Sequence, residues 1–449
     1  MTKYRIPFNV VLADNTSARK CAERDSMDNR LHTYEPIYND PLGEFETRRE
    51  EEHRAKMREE LKEEIIKRDS AIFDTASRIC PICEYASHSH GRTAAVSYLA
   101  KCGEVKVRLR RLRCTACGHI TVPGAALIPE GGISGSLAEC MCDLASKMPF
   151  AKATDSIHIQ HNIQMPVKRF WEHIQKEAIL ISDTLKEESL RMYETGEVPE
   201  CVDLKGEKPL IIGIDGGHVR GWKQNRSFEV RCATVATGSL KGPGKKRHLE
   251  NRVGYASYCD VDEFRQRVSV LALKSGYMTA AMRIFVSDGA SWIGTMIRDY
   301  FPDAIHVLDM YHLKAKIHLL FGIKATGKDA LLCDRVISAA NRYDPGALAA
   351  LISSWKPPDV AKTEARDELA GYVKSNAEAI RNHTLVGIHG SGWIEKGVDL
   401  MISRRLKNRG MAWTTQGCSH ILPFAVLRYN RTWGVYWNKR KGLSNVLAA

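Results

Sequence analysis

Two apolar runs near the middle of the chain each end in a carboxylate, and this constrains the fold more than any other feature. Leu210-Ile211-Ile212-Gly213-Ile214 runs into Asp215, and Ile284-Phe285-Val286-Ser287 runs into Asp288. Short continuous runs of this composition read as strands buried on both faces. Gly216 and Gly217 follow the first aspartate and Gly289 the second, so the backbone there can approach a bound ion or phosphate closely. A carboxylate at the end of a buried strand is costly unless something pairs with it, and a hard metal ion is a usual partner.

The flanking pattern supplies a frame for the two aspartates. It predicts strands at 209–215, 227–236 and 252–259, a helix at 261–276, a strand at 283–287, a helix at 290–301, a strand at 305–309 and a helix from 311. A three-strand meander followed by helix-strand-helix-strand is the order of a ribonuclease-H-like α/β domain. In that fold the strands ending in Asp215 and Asp288 are neighbours. The stretch 323–390 turns helical and reads as an all-α insertion in a catalytic domain covering 205–449. A new helix begins around Gly392-Trp393-Ile394-Glu395, and Glu395 in its first turn is expected to point back at the aspartates, with Glu378 as the rival acidic residue. Carboxylates converging from separate elements suit two Mg²⁺ or Mn²⁺ ions and phosphoryl transfer on a nucleic acid. Asp215 would bridge both ions, with Asp288 and Glu395 holding one each. His312 either contacts the reacting strand or caps a core hydrogen bond, and Asp309 is supportive.

A second metal-binding pattern precedes this domain. Cys80-Pro-Ile-Cys83 and Cys114-Thr-Ala-Cys117 each have the spacing of a turn that aims two thiolates at one ion. Strands at 95–99 and 105–109 join them. Two such turns bridged by strands predict a four-thiolate structural zinc ribbon over 75–130, with Cys102 a bystander. Lys106, Arg108, Arg110, Arg111 and Arg113 make its strand basic, suited to phosphate contact or simply solvated.

Upstream, 1–43 reads as a disordered arm and 44–74 as a charged helix with Glu/Lys and Glu/Arg pairs at i,i+4. Its thin apolar stripe is Met57, Leu61, Ile65 and Ile72, fitting an exposed linker or a coiled-coil dimerisation helix. Downstream, 131–200 reads as a helical DNA-binding domain. It has a helix through Leu137, Met141, Leu144 and Met148, a second at about 150–159, and a third at 166–182 opened by Pro166 and carrying Lys168, Arg169, Trp171 and His173. This is the shape of a helix-turn-helix, or of an ordinary three-helix packing unit.

Net charge is +13, which favours a polyanionic partner. No stretch approaches the ~20 apolar residues of a membrane helix, and the start of the chain has no convincing signal peptide. A cytoplasmic, nucleoid-associated protein with DNA as its partner is therefore expected. Thirteen cysteines, an odd and scattered set, point to metal ligands and buried thiols rather than disulfides. Further DNA contacts are expected from Lys241, Lys245, Lys246, Arg247 and Arg252, and from Arg404, Arg405, Lys407 and Arg409. Trp393, Trp413, Trp433 and Trp437 are either core residues or stacking platforms for unpaired bases.

Five segments, Asp215-Gly-Gly-His-Val-Arg220, Ser287-Asp-Gly-Ala290, Leu308-Asp-Met-Tyr-His312, Trp393-Ile-Glu395 and Ser403-Arg-Arg-Leu-Lys-Asn-Arg-Gly-Met-Ala-Trp413, occur in an order that resembles bacterial insertion-sequence transposases of the DDE superfamily, in the branch related to Mutator-like elements. The resemblance covers roughly residues 75–437. It implies Asp215, Asp288 and Glu395 as a catalytic triad. Asp-x-x-His at 309–312 and a helical insertion before the glutamate are typical of that branch. The implied activity is binding of transposon terminal inverted repeats, strand cleavage and joining to target DNA, by a homo-oligomer assembled on DNA. A domesticated DNA-binding relative without catalysis and a nuclease without strand transfer are the competing readings.

Overall fold

The computed structural model describes residues 40, 42–222, 227–238, 249–322, 326–386 and 392–442. Most of the arm, and Lys241, Lys245, Lys246 and Arg247, lie outside them. The chain divides into two units, 1–53 and 54–449. The first contains the opening turns of helix α1 (Gly43–Thr75), where Arg49 and Glu52 pair at 2.5 Å.

In the second unit, the rest of α1 packs on the ribbon. Ile65 and Leu61 meet Val105, Val107 and Leu109. The stripe then continues through Asp69 and Phe73, both buried, whereas Met57 and Ile72 are exposed. Asp69 takes the place expected for an apolar residue because it accepts the Arg110 backbone N–H at 3.0 Å. The guanidinium groups of Arg78 and Arg110 cover the Phe73 ring at 4.5 and 5.3 Å. This part of the helix is docked rather than a solvated linker.

The ribbon has strands β1 (Ser87–Arg92), β2 (Val96–Ala100), β3 (Gly103–Val107), β4 (Arg110–Cys114) and β5 (Ile120–Thr121). β2 and β3 form a hairpin, and β1, β4 and β5 a three-stranded antiparallel sheet. The sequence reading missed β1, because Ser-His-Ser-His-Gly-Arg has no apolar alternation. Its pairing is set by the neighbouring cysteine turn, with Ser87 opposite Cys114.

Helices α2 (Gly135–Ala145), α3 (Phe150–His161) and α4 (Val167–Thr195) follow. Ser134 caps α2 by accepting the Leu137 N–H, and Asn162 ends α3 in the left-handed region at φ 52°. Pro166 caps α4, which runs well past the expected end at 182, to a left-handed Gly196. These helices do not enclose a core of their own. Leu137, Met141, Ile157, Phe170 and Ile174 belong to one cluster with Val219, Val230, Ile402, Phe424 and Trp437 from the C-terminal half.

The central sheet comprises β6 (Leu210–Arg220), β7 (Ser227–Gly238), β8 (Leu249–Ser257), β9 (Arg283–Ser287) and β10 (Ile305–Leu308), in the order β10-β9-β6-β7-β8. β6, β7 and β8 are an antiparallel meander, while β9 and β10 run parallel to β6. β6 continues beyond Asp215 because its Gly-Gly-His-Val-Arg tail pairs with the start of β7. Side chains alternate between faces. Leu210, Ile212 and Ile214 pack under α5 (Val261–Lys274) and α6 (Ser291–Tyr300), while Ile211 faces Val386 and Ile394 on the other side.

Helix α7 (Met310–Phe321) follows β10. The insertion α8 (Gly327–Asn341), α9 (Pro345–Ser354), α10 (Val360–Ser375), α11 (Ala377–Arg381) and α12 (His383–Val386) packs against it around Val336, Leu348, Ile352 and Val373. The chain then returns to the sheet with α13 (Gly392–Val398), a π-helical turn (Asp399–Ser403) and α14 (Arg404–Leu406), and ends in α15 (Thr415–Ser419), α16 (Leu422–Tyr429) and α17 (Trp433–Arg440).

Candidate metal centre and candidate active site

The four cysteines converge. Their sulfurs lie within 4.8 Å of one another, and among the described residues this is the only group of three or more such ligands that close. Cys80–Cys117, Cys83–Cys114 and Cys83–Cys117 are 3.7, 3.4 and 3.4 Å apart. Four thiolates around one tetrahedral ion with bonds of about 2.3 Å have edges of about 3.8 Å, so the set fits a metal ion. Each turn aims backbone N–H groups at sulfur: Ile82 at Cys80 (3.5 Å), and Ala116 and Cys117 at Cys114 (3.4 and 3.5 Å). The Cys117 and Ala116 N–H donors pull the Cys114 thiol down, the direction that favours a ligating thiolate, while against the lowering Tyr85 N–H the hydrogen bonds with Cys114 and Cys117 push Cys83 up. The described cysteines form no disulfide, and Cys102 is buried outside the cluster.

The two strand-end aspartates also come together. Ile214 is the register partner of Ser287 across the parallel β6–β9 pair, so Asp215 and Asp288 emerge side by side. Asp215 is mostly buried on the α13 face, opposite Cys232 of β7. Burial pushes its carboxyl above the ordinary range. The Gly216 N–H at 2.7 Å and the nearby His312 ring pull the other way, while Asp288 and Asp309 add to the rise. Asp288 accepts the Ala290 N–H at 3.0 Å.

Asp309 is buried at the end of β10. One carboxylate oxygen caps α7 by accepting the Tyr311 N–H at 2.9 Å, and the other accepts from His312 Nδ1 at 2.7 Å. That bond, aided by the fields of Asp215 and Asp288, raises the His312 pKa. Of the two roles expected for His312, the hydrogen bond is present: its ring is anchored to Asp309, near enough to Asp215 and Asp288 to feel their charge.

Glu395 is placed by close helix–sheet packing. A β-carbon on Gly213 would collide with Ile394 and Trp393, and one on Gly397 with Thr234 of β7. Missing side chains on both surfaces therefore let α13 lie on β6. Glu395, one residue after Ile394, is turned about 100° around the helix from the residue that packs on Gly213. Its side chain is exposed, and with Asp215 and Asp288 it does not form a ligand group closed to within 4.8 Å. Glu378 is exposed on α11, which packs beside β10.

The expected DNA contacts divide. Arg108, Lys168, Arg169, Arg404 and Lys407 are exposed; Lys168 lies near Glu172 (3.9 Å), and Arg404 pairs with Asp399 (3.1 Å). Arg110 and Arg111 are half-buried. Arg110 meets Asp74 at 3.3 Å, and Arg111 donates to the His90 carbonyl at 2.9 Å. Arg405 corrects the sequence reading. It is buried, donates to the Ala145 carbonyl at 2.6 Å and lies over the Trp413 and Phe150 rings at 4.7 and 5.5 Å. It joins α14 to α2 and is not available to a phosphate. The basic run after Glu395 misleads because a helix turns alternate members inward. His173 on α4 is buried as well, beside Glu177 and Arg440. The tryptophans prove to be core residues: Trp413, Trp433 and Trp437 are buried, and Trp393 packs over Gly213.

The sequence reading did not find Tyr372, Asn376 and His306, which surround Asp288. Tyr372 and Asn376 lie far along the insertion, where no spacing pattern ties them to a strand end.

Fold and site define a mixed α/β protein with a four-cysteine cluster able to hold a metal ion and an aspartate pair at adjoining strand ends. Residues 166–441, more than half of the chain, match the uncharacterised protein family UPF0236, and the chain belongs to that family. None of the curated proteins matches it. No helix among the described residues is long and apolar enough to cross a membrane.

Proposed function

We propose that the chain is a DNA transposase of the DDE type, with a ribonuclease-H-like catalytic domain and a structural zinc ribbon. The observation that carries this is the delivery of Asp215 and Asp288 by neighbouring parallel strands of a sheet ordered β10-β9-β6-β7-β8. The His312–Asp309 pair faces those aspartates. A three-strand antiparallel meander with two parallel strands added on the β6 side is the strand arrangement of a ribonuclease-H-like sheet.

The donor set suits Mg²⁺ or Mn²⁺. Two hard carboxylates meet at one corner, and burial together with the charge of Asp288 raises the cost of ionising Asp215, a cost that a divalent cation offsets. Asp215 and Asp288 would hold the ions, with the exposed Glu395 on α13 as the proposed third carboxylate. Bound there, the ions supply Lewis-acid polarisation of a phosphoryl oxygen and a lowered pKa for the attacking hydroxyl. The Asp309 hydrogen bond favours the protonated form of His312, which can hold a phosphate oxygen or give up a proton. The exposed Arg108, Lys168, Arg169, Arg404 and Lys407 would track the DNA backbone, and the net charge of +13 favours that partner. Transposon ends and target DNA are the proposed substrates, bound by a homo-oligomer.

The test uses purified protein, a labelled duplex from the DNA flanking the gene, and a supercoiled plasmid. Wild type with Mg²⁺ should nick the duplex at its 3′ end and yield joined products. EDTA should abolish this, and Asp288→Ala should slow it by at least about 1000-fold, roughly 4 kcal/mol in barrier. Retarded but uncut DNA would sink the catalytic reading and leave a DNA-binding relative. Cutting without joining would identify a nuclease.

A further inference from the structure

We propose that Tyr372, in the helical insertion, is a positioning residue for Asp288; this rests on the reading of the aspartate pair as metal-holding groups. The sheet ladder ends immediately before Asp288, where the Ser287 carbonyl accepts the Asp309 N–H at 2.6 Å. The next carbonyl, that of Asp288 itself, accepts from the Tyr372 hydroxyl at 2.5 Å. A residue of α10, far off in sequence, thus extends the support of β9 by one peptide.

That peptide sets the direction of the carboxylate. Gly289 follows in the left-handed region at φ 80°, and a β-carbon there would lie 2.7 Å from both Asn376 Oδ1 and Leu308 Cδ1. Asn376 is bound back to the Tyr372 carbonyl at 3.0 Å. Ser287 Oγ accepts the Gly289 N–H at 3.2 Å and meets His306 Nε2 at 2.8 Å. The Lys316 ammonium lies 5.0 Å from the centre of the Tyr372 ring, so the ring is held from α7 as well. Two more insertion side chains bond strand-end carbonyls: Asn382 to His306 at 2.9 Å, and His383 to Leu308 at 2.5 Å. The insertion therefore grips the ends of both parallel strands, and Tyr372 grips the one residue that carries proposed chemistry. Burial and the nearby carboxylates of Asp288 and Asp309 keep its hydroxyl protonated, as a donor must be.

Tyr372→Phe tests this, because it removes one oxygen and leaves the ring in place. Mn²⁺ binding to the full chain would be measured from the signal of free Mn²⁺, for wild type, Tyr372→Phe, Asp288→Ala and Trp355→Phe. Trp355→Phe loosens the insertion elsewhere, at the Asp329 bond of 2.9 Å. Tyr372→Phe should weaken Mn²⁺ about 10- to 100-fold, the usual cost of losing a group that orients a ligand. It should also speed amide exchange over 284–291 in metal-free protein, with Trp355→Phe matching wild type in both. If Tyr372→Phe binds and exchanges like wild type while Asp288→Ala loses Mn²⁺, the positioning role is wrong and the aspartate reading stands. If Asp288→Ala binds Mn²⁺ like wild type, the aspartate reading fails and takes the inference with it. Equal weakening in Trp355→Phe and Tyr372→Phe would overturn the specific role of the hydroxyl.

Discussion

In the ribbon, each half of the cysteine cluster comes from a single turn of chain, and the tight turns aim backbone N–H groups at the sulfurs. At the sheet, the aspartates and His312 come from β6, the end of β9, and the loop and first turn leading into α7, elements separated by further strands and helices. The ribbon site is closed, with all four sulfurs within 4.8 Å. The aspartate corner is open and only partly buried, held by the packing of whole elements. Local geometry suffices for the first. The second depends on glycines that let α13 approach β6 and on the grip of the insertion at the strand ends. A locally built site should fail locally and completely, whereas one built by packing should respond in graded steps to changes far along the chain.

The largest effect should come from the ribbon. Cys114→Ser should abolish binding of one zinc per chain and unfold 75–130, since structural zinc contributes on the order of 10 kcal/mol to small domains. Metal analysis and amide exchange would check it, and retained zinc with a native ribbon would break the contrast. Arg405→Ala should cost about 2–4 kcal/mol, because it leaves the Ala145 carbonyl unpaired and a gap beside Trp413. A loss of DNA affinity without a loss of stability would return Arg405 to the DNA surface. Gly397→Ala should cost about 1–3 kcal/mol by pushing α13 off Thr234, and should weaken Mn²⁺ binding although the residue is no ligand.

Asp215→Asn should stabilise the protein by about 0.5–2 kcal/mol near pH 7. The sign follows from the raised carboxyl pKa of Asp215. The fold disfavours the ionised form, so the gain is present above the folded pKa and vanishes as pH falls below the unfolded value of about 3.9. Destabilisation at pH 7 would mean that the carboxylate is a structural group. The smallest effect is expected for the exposed Lys407→Ala. It should shift stability by less than about 0.5 kcal/mol and lower the salt slope of DNA binding by about one.

Much of this was legible in the chain because the signals are local. Strand and helix order from 209 to 321, both cysteine turns and the helical insertion follow from runs and spacings of a few residues. β1 was not legible, since its pairing is fixed by the cysteine turn and not by alternation. Nor was the inward turn of Arg405, because a basic run looks the same on either side of a helix. Nor was the burial of Asp69 on the stripe of α1, where one carboxylate oxygen accepts a backbone N–H from a strand 41 positions away.

The sequence alone determined which residues end the two buried strands and which thiols can share an ion, because both are written within a single element or turn. The tertiary structure decided the rest: how closely α13 lies on β6, that Arg405 turns inward, and that Tyr372 reaches the Asp288 carbonyl. Those relations depend on close approach between distant surfaces, at Gly213, Gly289 and Gly397 above all, and no periodicity within one segment encodes where another segment will touch it.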